Sequence, residues 1–205
     1  MFRRRTTSTV ERRGFTLLEM LVALAILMLF VSMTFPSVGR LMANQDLQTA
    51  AKTVQSTMSK SRVRAIGDGL TYQFRYEPFG RRFLVIPYEL PLASPTGGSN
   101  PASATTQTVT VWRVAGELPE DMVFQAWGGE LEAGQPLDEE WLTGLPDLYE
   151  LSKTIWSEAI LIRADGSASD AAFELMDNTT NKRVVFTMRG LTGVVSISKL
   201  QEIEQ

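Results

Sequence analysis

One carboxylate, that of Glu19, lies near the start of a predominantly apolar run of 21 residues from Phe15 to Phe35. An ionised carboxylate in an apolar environment costs on the order of a few kcal/mol and persists there only beside a partner. Cleavage of the chain between Gly14 and Phe15 would create such a partner, because it would free an α-amino group with a pKa of roughly 8. That amine is disfavoured at its own helix N-terminus, where the helix dipole is already positive. We therefore expect Glu19 to pair with the amine of a neighbouring subunit.

The apolar run predicts a membrane-spanning helix over residues 15–36. Apart from Glu19, its only polar residues are Thr16, Ser32 and Thr34, and about 20 residues at about 1.5 Å each cover roughly 30 Å of hydrocarbon. A secretory signal peptide fits less well, because its apolar core is usually only about 7 to 15 residues and small residues follow it. Five arginines and one glutamate precede the run, so the positive-inside bias places the N-terminus in the cytoplasm. We expect a single-pass membrane protein with residues 37–205 outside the cytoplasm.

The segment Gly14-Phe15-Thr16-Leu17-Leu18-Glu19 resembles the signature of the type IV pilin and type II secretion pseudopilin superfamily. In that superfamily a basic leader ends in glycine and a long apolar helix follows. The resemblance implies that residues 1–14 are a leader removed by prepilin peptidase after Gly14. It also implies that Phe15 becomes the N-methylated first residue and that Glu19 is the carboxylate of filament assembly. The alternative is a single-pass anchor with an incidental glutamate.

The composition narrows the possible functions of the exported part. Residues 15–205 hold 15 basic and 22 acidic side chains, a net charge of −7, which argues against a broad nucleic-acid surface. The chain contains no cysteine and no histidine, so it lacks disulfides, thiolate metal sites and the commonest general base. We expect no cofactor, no metal site and no catalytic activity. The chain would instead be a substrate of prepilin peptidase and of an N-methyltransferase.

Hydrophobic periodicity predicts an α+β fold in which a long N-terminal helix packs on antiparallel β-sheet, and the resemblance implies that this fold is pilin-like. After Pro36, which should bend or loosen the helix, small or apolar residues recur at spacings of three and four up to about residue 66. The members of this stripe are Leu47, Ala50, Ala51, Val54, Met58, Ser61 and Ala65. Gly67 and Gly69 should then end the helix.

Period-two alternation predicts strands over about residues 70–114 and 158–199. Residues 70–87 read as a hairpin with a half-buried first strand, and residues 108–114 read as a further strand. Four short strands in meander order follow, near residues 159–163, 172–176, 183–188 and 194–198. Between the two strand regions, residues 117–157 carry ten carboxylates against Lys153 alone, with aromatic residues interspersed. These aromatic rings either pack back onto the domain or serve a partner.

The region of residues 155–199 resembles the C-terminal sheet of GspH and FimT-like minor pilins. With the helix end at residues 58–66, this resemblance favours the GspH branch. It implies a minor pseudopilin of a type II secretion system, whose partners would be other pseudopilins, prepilin peptidase, the inner membrane and secreted proteins. The alternative is a minor pilin of a type IV pilus, including the FimT-like kind that takes up DNA. DNA binding is disfavoured, because the acidic C-terminus lacks the Gly-Arg-x-Arg element of those proteins. A patch of cations remains conceivable: Lys60, Arg62, Arg64, Arg75, Arg81 and Arg82.

The first prediction concerns processing at Gly14. In a strain with active prepilin peptidase, mass spectrometry of the mature protein should show Phe15 as the first residue, carrying one added methyl group. Replacing Gly14 with a bulky residue such as leucine should block cleavage, because a side chain would then stand at the cut bond. An intact leader on the wild-type chain in that strain would contradict the assignment.

Overall fold

The computed structural model of the chain describes residues 16–89, 111–128 and 134–203, apart from the side chains of residues 33–43. The chain divides into two compact units, Met1–Met42 and Ala43–Gln205. Helix α1 runs from Leu17 to Asp68, and Gly69 follows it with a positive φ of 67°. Glycine adopts this left-handed conformation without steric cost, which is why it commonly ends helices. The predicted bend at Pro36 stays a prediction.

In the first unit, every described side chain from residue 16 to residue 32 is exposed. Among the described residues, no helix combines the length and the apolar character needed to cross a membrane. The predicted span of residues 15–36 lies partly outside the described residues and stays a prediction.

In the second unit, the predicted apolar stripe of α1 is confirmed. All seven of its members, from Leu47 to Ala65, are buried, and the six apolar ones belong to the main core. The hydroxyl of Ser61 is satisfied within the helix, because it donates to the carbonyl of Met58 at 2.7 Å.

Two antiparallel sheets provide the rest of the second unit, so the predicted α+β class is confirmed. The first sheet has the order β3-β2-β1-β5 and the second the order β4-β6-β7-β8, with β9 pairing to β7. The strands are β1 Tyr72–Tyr76, β2 Arg82–Pro87, β3 Val114–Glu117, β4 Met122–Ala126, β5 Ile160–Ile162, β6 Ala171–Asp177, β7 Lys182–Arg189, β8 Val194–Ile197 and β9 Gln201–Glu202.

Three details of the predicted sheet were wrong. Strand β5 pairs with β1 in the first sheet rather than with β6, because the turn at Gly166 carries the chain across to the second sheet. Residues 111–113 are not strand, and β3 begins at Val114. Strand β4 was not predicted, because it lies within residues 117–157, which we call the acidic region. Alternate side chains of Met122–Ala126 are nevertheless buried.

Aromatic rings join the inner faces of the two sheets. Phe173 of β6 stacks on Phe186 of β7 with ring centroids 4.7 Å apart, and it also contacts Phe74 at 5.6 Å and Tyr76 at 5.1 Å. Phe124 of β4 contacts Tyr76 at 5.5 Å. Such ring pairs add roughly 0.5–1.5 kcal/mol each beyond the burial of their area. The aromatic core therefore fixes how the two sheets face each other.

The acidic region covers the other face of the first sheet. It contains two short helices, α2 Glu139–Leu142 and α3 Leu148–Lys153. A second apolar cluster joins them to β2: Leu84, Ile86, Leu142, Leu145, Leu151 and Trp156. Both faces of this sheet are thus covered. The prediction of a half-buried first strand was wrong, and Gln73, placed on its exposed face, is buried.

The second prediction concerns Tyr72, which joins the end of α1 to β1. Its hydroxyl donates to the Asp68 carboxylate at 2.6 Å. Burial, followed by this hydrogen bond, raises the pKa of Tyr72 well above its ordinary value. The folded state therefore keeps the phenolic proton at a pH where the unfolded chain has lost it. This contribution to stability is complete below about pH 10 and is lost as the pH rises through the folded pKa.

Tyr72→Phe should consequently unfold more easily at pH 7, by about 1 kcal/mol, since the hydrogen bond is gone. Its free energy of unfolding should also fall less steeply than that of the wild type above about pH 10. Urea unfolding at pH 7 and at several pH values above about pH 10, followed by tryptophan fluorescence, measures the two effects. Identical pH slopes in the two proteins would count against this role for Tyr72.

Candidate functional site

Glu19 lies in the first turn of α1, and its backbone is held by Thr16. The Glu19 N–H donates to the Thr16 hydroxyl at 3.2 Å, and the Met20 N–H donates to the Thr16 carbonyl at 3.2 Å. Thr16 is therefore the N-cap residue, and Glu19 is the third residue of the helix. A Thr-x-x-Glu spacing at a helix start is the pattern of a capping box, in which the glutamate can reach back to the N-cap N–H.

This geometry gives Glu19 a local role that sequence reasoning missed. The positive end of the helix dipole also favours a carboxylate in this first turn. The spacing of Thr16 and Glu19 was the available signal. Any functional test of Glu19 must therefore separate its charge from its part in starting the helix. Glutamine serves in a capping box as glutamate does, which makes Glu19→Gln the informative substitution.

Gly14 and Phe15, the predicted cleavage and methylation residues, lie outside the described residues. Their roles stay predictions.

Around Glu19, α1 presents apolar side chains on all sides. Residues 17–31 include leucine, methionine, valine, isoleucine and phenylalanine, and all of these side chains are more than half exposed in the isolated chain. A globular surface helix has one apolar stripe, whereas a helix that is apolar all round is buried in a large assembly or in a membrane. Within the described part of the chain, no residue covers the apolar surface around Glu19.

The basic residues at the end of α1 and in the first hairpin do not form one open patch. Four of the six cations bind groups of their own chain. The Nε of Arg62 donates to the Gly166 carbonyl at 2.9 Å, Arg81 forms an ion pair with Glu117 at 2.6 Å, and Arg82 donates to Thr154 at 3.3 Å. The other two, Lys60 and Arg64, are exposed.

Arg75 is the most deeply engaged of these cations. Its Nε donates to the side-chain oxygen of Gln73 at 2.7 Å, and its Nη1 donates to the carbonyl of Ser157 at 2.9 Å. Burial lowers the pKa of Arg75, while the nearby Tyr88 and Glu158 act in the opposite direction. Arg75 therefore ties β1 to the end of the acidic region.

The aromatic residues of the acidic region fall into two groups. Trp156 is fully buried, and its indole N–H donates to the Leu151 carbonyl at 3.0 Å. Trp141 is half-buried against the second cluster. Packing therefore accounts for these two rings, whereas Trp127 (49% exposed) and Tyr149 (64% exposed) remain accessible to a partner. Each accessible ring lies beside a cation, Trp127 beside Arg183 at 5.7 Å and Tyr149 beside Lys153 at 3.5 Å.

Within the described ranges, no group of three or more acidic, histidine or cysteine side chains is placed to hold a metal ion. Asp177, which is buried, is used inside its own turn, where it accepts hydrogen bonds from the Thr179 N–H and the Thr180 hydroxyl.

Comparison with known proteins bears on the N-terminal segment and on the fold. Residues 11–35 match the prokaryotic N-terminal methylation motif, and no curated protein matches the chain. The minor pseudopilin EpsH from the Type 2 Secretion System of Vibrio cholerae is a solved structure with 13% sequence identity. The match covers 75% of this chain and 96% of that chain, with a TM-score of 0.43. The matched segment contains Gly14, Phe15 and Glu19, the residues predicted for cleavage, methylation and assembly.

Proposed function

We propose that this protein is a minor pseudopilin of a type II secretion system. It would be a structural subunit of the periplasmic pseudopilus that helps folded proteins leave through the outer membrane. Prepilin peptidase would remove residues 1–14, and residues 15–36 would anchor the mature chain in the inner membrane. The observation that carries the proposal is the first unit of the chain, a helix that is apolar on every side and holds one carboxylate in its first turn.

The exposed apolar helix needs two successive environments in this proposal. Lipid surrounds it before assembly, and the helices of neighbouring subunits surround it within the filament. Van der Waals packing among helices replaces contacts with lipid at little cost in hydrophobic energy. The same side chains therefore serve both states, and the helix can move from the membrane into the filament.

Glu19 would select one axial position of the helix against its neighbour, which apolar side chains alone do not. An ionised carboxylate among packed apolar helices is costly unless a cation lies beside it. The free amine of a neighbour's Phe15 would be such a cation at neutral pH. Pairing would then set the axial position of one subunit against the next, because a displaced helix would leave both charges without a partner.

The described part of the chain favours secretion over DNA uptake. Arg62, Arg75, Arg81 and Arg82 are engaged within their own chain, so few of the candidate cations are available to phosphates. A protein that neutralises several phosphates needs clustered, accessible lysine and arginine. The negative net charge of residues 15–205 also disfavours binding to DNA.

The third prediction tests the charge of Glu19. Glu19→Gln keeps the capping-box spacing and removes the charge, so processing at Gly14 and membrane insertion should persist. Incorporation into the filament should fall sharply, and secretion should fall with it. The measurements are extraction of the full chain from membranes, co-purification with sister pseudopilins, and the amount of a secreted protein outside the cell.

Thr16→Val is the matched control, because it removes the cap and keeps the carboxylate. If helix initiation were the function of Glu19, Thr16→Val should reproduce the loss of assembly. Normal partner capture and normal secretion in Glu19→Gln would remove the assembly role.

The fourth prediction concerns Arg75. Arg75→Met keeps much of the apolar stem but leaves the oxygens of Gln73 and Ser157 without their donor, so the free energy of unfolding should fall by about 1–3 kcal/mol. Lys60→Met, an exposed control, should change it by less than about 0.5 kcal/mol. Urea unfolding measures both. DNA retention should be the same in the wild type and in Arg75→Met. A weaker, less salt-dependent interaction with DNA in Arg75→Met would instead indicate a phosphate contact.

A further inference from the structure

Strand β3 lies at one edge of the first sheet and directs part of its backbone outward. Its neighbour in the sheet is β2, and directly after the strand the Leu118 N–H donates to the Arg81 carbonyl at 2.9 Å. In an antiparallel pair, only every second residue of a strand exchanges hydrogen bonds with the neighbouring strand. Gly116 therefore directs its N–H and carbonyl groups toward β2, whereas Ala115 and Glu117 direct theirs away from the sheet.

These outward groups of β3 are unpaired in the part of the chain that the structure describes. Within residues 16–89, 111–128 and 134–203, no group forms a hydrogen bond with the backbone of Ala115 or Glu117 on this side. The small residues Ala115 and Gly116 leave the backbone of the edge accessible. An unpaired edge is a template on which a segment of another chain can form a further strand.

Contacts from the same chain cover the outer edges of β4, β5 and β8. The Phe124 N–H of β4 donates to the Gly80 carbonyl at 2.9 Å, and the Leu161 carbonyl of β5 accepts from the Ser169 N–H at 2.8 Å. The side chain of Gln55 donates to a carbonyl of β8 at 2.9 Å. Among the described residues, β3 has no cover of this kind.

A cleft opens on each side of the β3 edge. The first, of about 300 Å³, lies between α1, the β3–β4 connection and the β6–β7 turn, and its lining includes Phe83 and Leu118. The second, of about 250 Å³, lies between β3 and α3, and its lining includes Pro146 and Leu151. Successive side chains of a strand point to opposite faces. A segment paired with β3 would thus place alternate side chains in the two clefts, the arrangement that gives strand addition its specificity.

The free charges around this edge are negative on both sides. Four exposed carboxylates line the clefts and form no ion pair with any described residue: Asp46 and Asp121 in the first, and Asp147 and Glu150 in the second. The nearby arginines are engaged already. Arg81 forms an ion pair with Glu117. Arg82 donates to the Thr154 hydroxyl at 3.3 Å. A complementary segment would therefore carry lysine or arginine on both of its faces.

The same charges disfavour edge-to-edge pairing of two copies of this chain. If β3 of one copy paired with β3 of another, the carboxylates that border the two edges would be brought close together. Like charges that face each other across an interface oppose association. The partner that this edge suits is therefore a different protein.

We propose that the edge of β3 pairs with an extended, basic segment of a sister pseudopilin. The backbone of that segment exchanges hydrogen bonds with Ala115 and Glu117, and its cationic side chains face the carboxylates of the two clefts. The inference rests on the proposed function, in which the neighbours of this subunit are other pseudopilins, and it assigns the surface that one of them contacts.

Photo-crosslinking of the full chain in membranes, with the sister pseudopilins present, tests this contact. The chain has no cysteine, so a photoreactive group can be attached at Thr49→Cys in the first cleft or at Pro146→Cys in the second. Both positions should crosslink to the same sister pseudopilin, which mass spectrometry of the product identifies. Thr192→Cys, a control on the exposed turn between β7 and β8, should give about tenfold less product.

A backbone substitution tests the pairing itself. Ala115→Pro removes an outward N–H and leaves the bonds to β2 in place, and proline is tolerated on edge strands whose N–H faces solvent. It should lower the crosslink yield at Thr49→Cys and Pro146→Cys by about tenfold. Ala115→Ser, the matched control, keeps the N–H and should crosslink as the wild type does. Urea unfolding shows whether both variants fold.

Charge reversal tests the predicted chemistry of the partner. A chain with both Asp121→Lys and Glu150→Lys changes one carboxylate in each cleft and should also lose about tenfold in crosslink yield. The control carries Glu140→Lys and Glu202→Lys, which make the same change in net charge at exposed positions outside the two clefts. Its yield should equal that of the wild type. If Ala115→Pro does not fold, this pair of variants decides the question.

Three results would overturn the proposal. One is a crosslink yield at Thr49→Cys and Pro146→Cys no higher than that at Thr192→Cys. Another is an unchanged yield in a folded Ala115→Pro chain or in the charge-reversed chain. The third is a product in which the cysteine is joined to its own chain, to a second copy or to a secreted protein instead of a sister pseudopilin.

Failure of this inference and failure of the proposed function give different results. If crosslinking fails while the wild-type chain still captures sister pseudopilins and supports secretion, only the contact at β3 is wrong. If the wild-type chain neither captures sister pseudopilins nor supports secretion, the proposed function is wrong, whatever the crosslinks show.

Discussion

Burial of one stripe of α1 against two sheets is the interaction on which the second unit depends. Leu47, Val54 and Met58 are fully buried in the same core as the rings of Phe74 and Phe173. Replacing any of these large side chains with alanine would leave a cavity in a core that α1 and both sheets share. Such cavities typically lower the free energy of unfolding by about 2–5 kcal/mol. Polar contacts then fix the two ends of this buried stripe. Lys182 donates to Asn44 at 2.9 Å near the start of the stripe, and Arg62 donates to Gly166 at its end.

The acidic region covers one face of the first sheet, a structural role that its many carboxylates do not indicate. Its described carboxylates are exposed, while Leu142, Leu151 and Trp156 cover the outer face of the first sheet. Residues 134–157 therefore cover the outer face of the first sheet, as α1 and the second sheet cover its inner face. The buried arginine contacts at Ser157 and Thr154 add directional bonds to this apolar cover. The exposed rings of Trp127 and Tyr149 are what remains for a partner.

The first unit follows a different physical rule from the second. Its side chains find no apolar cover within the described chain, and in the proposed function lipid or neighbouring helices would cover them. The backbone of Glu19 takes part in the helix start through Thr16. In the proposed function its charge would also give the apolar surface a preferred position for a neighbour.

The sequence by itself determined the helix, its buried stripe and the motif around Glu19, because each depends on local spacing or on nearby residues. Spacings of three and four select the buried face of α1 wherever the sheets lie, and the motif at residues 11–35 is a contiguous pattern. The tertiary structure decided what local spacing cannot show. It paired β5 with β1 across some 85 residues and buried Gln73 beneath the acidic region. It also engaged Arg75 with Ser157. These features join distant segments, and alternation in sequence reports which side of a strand is apolar but not which strand lies beside it.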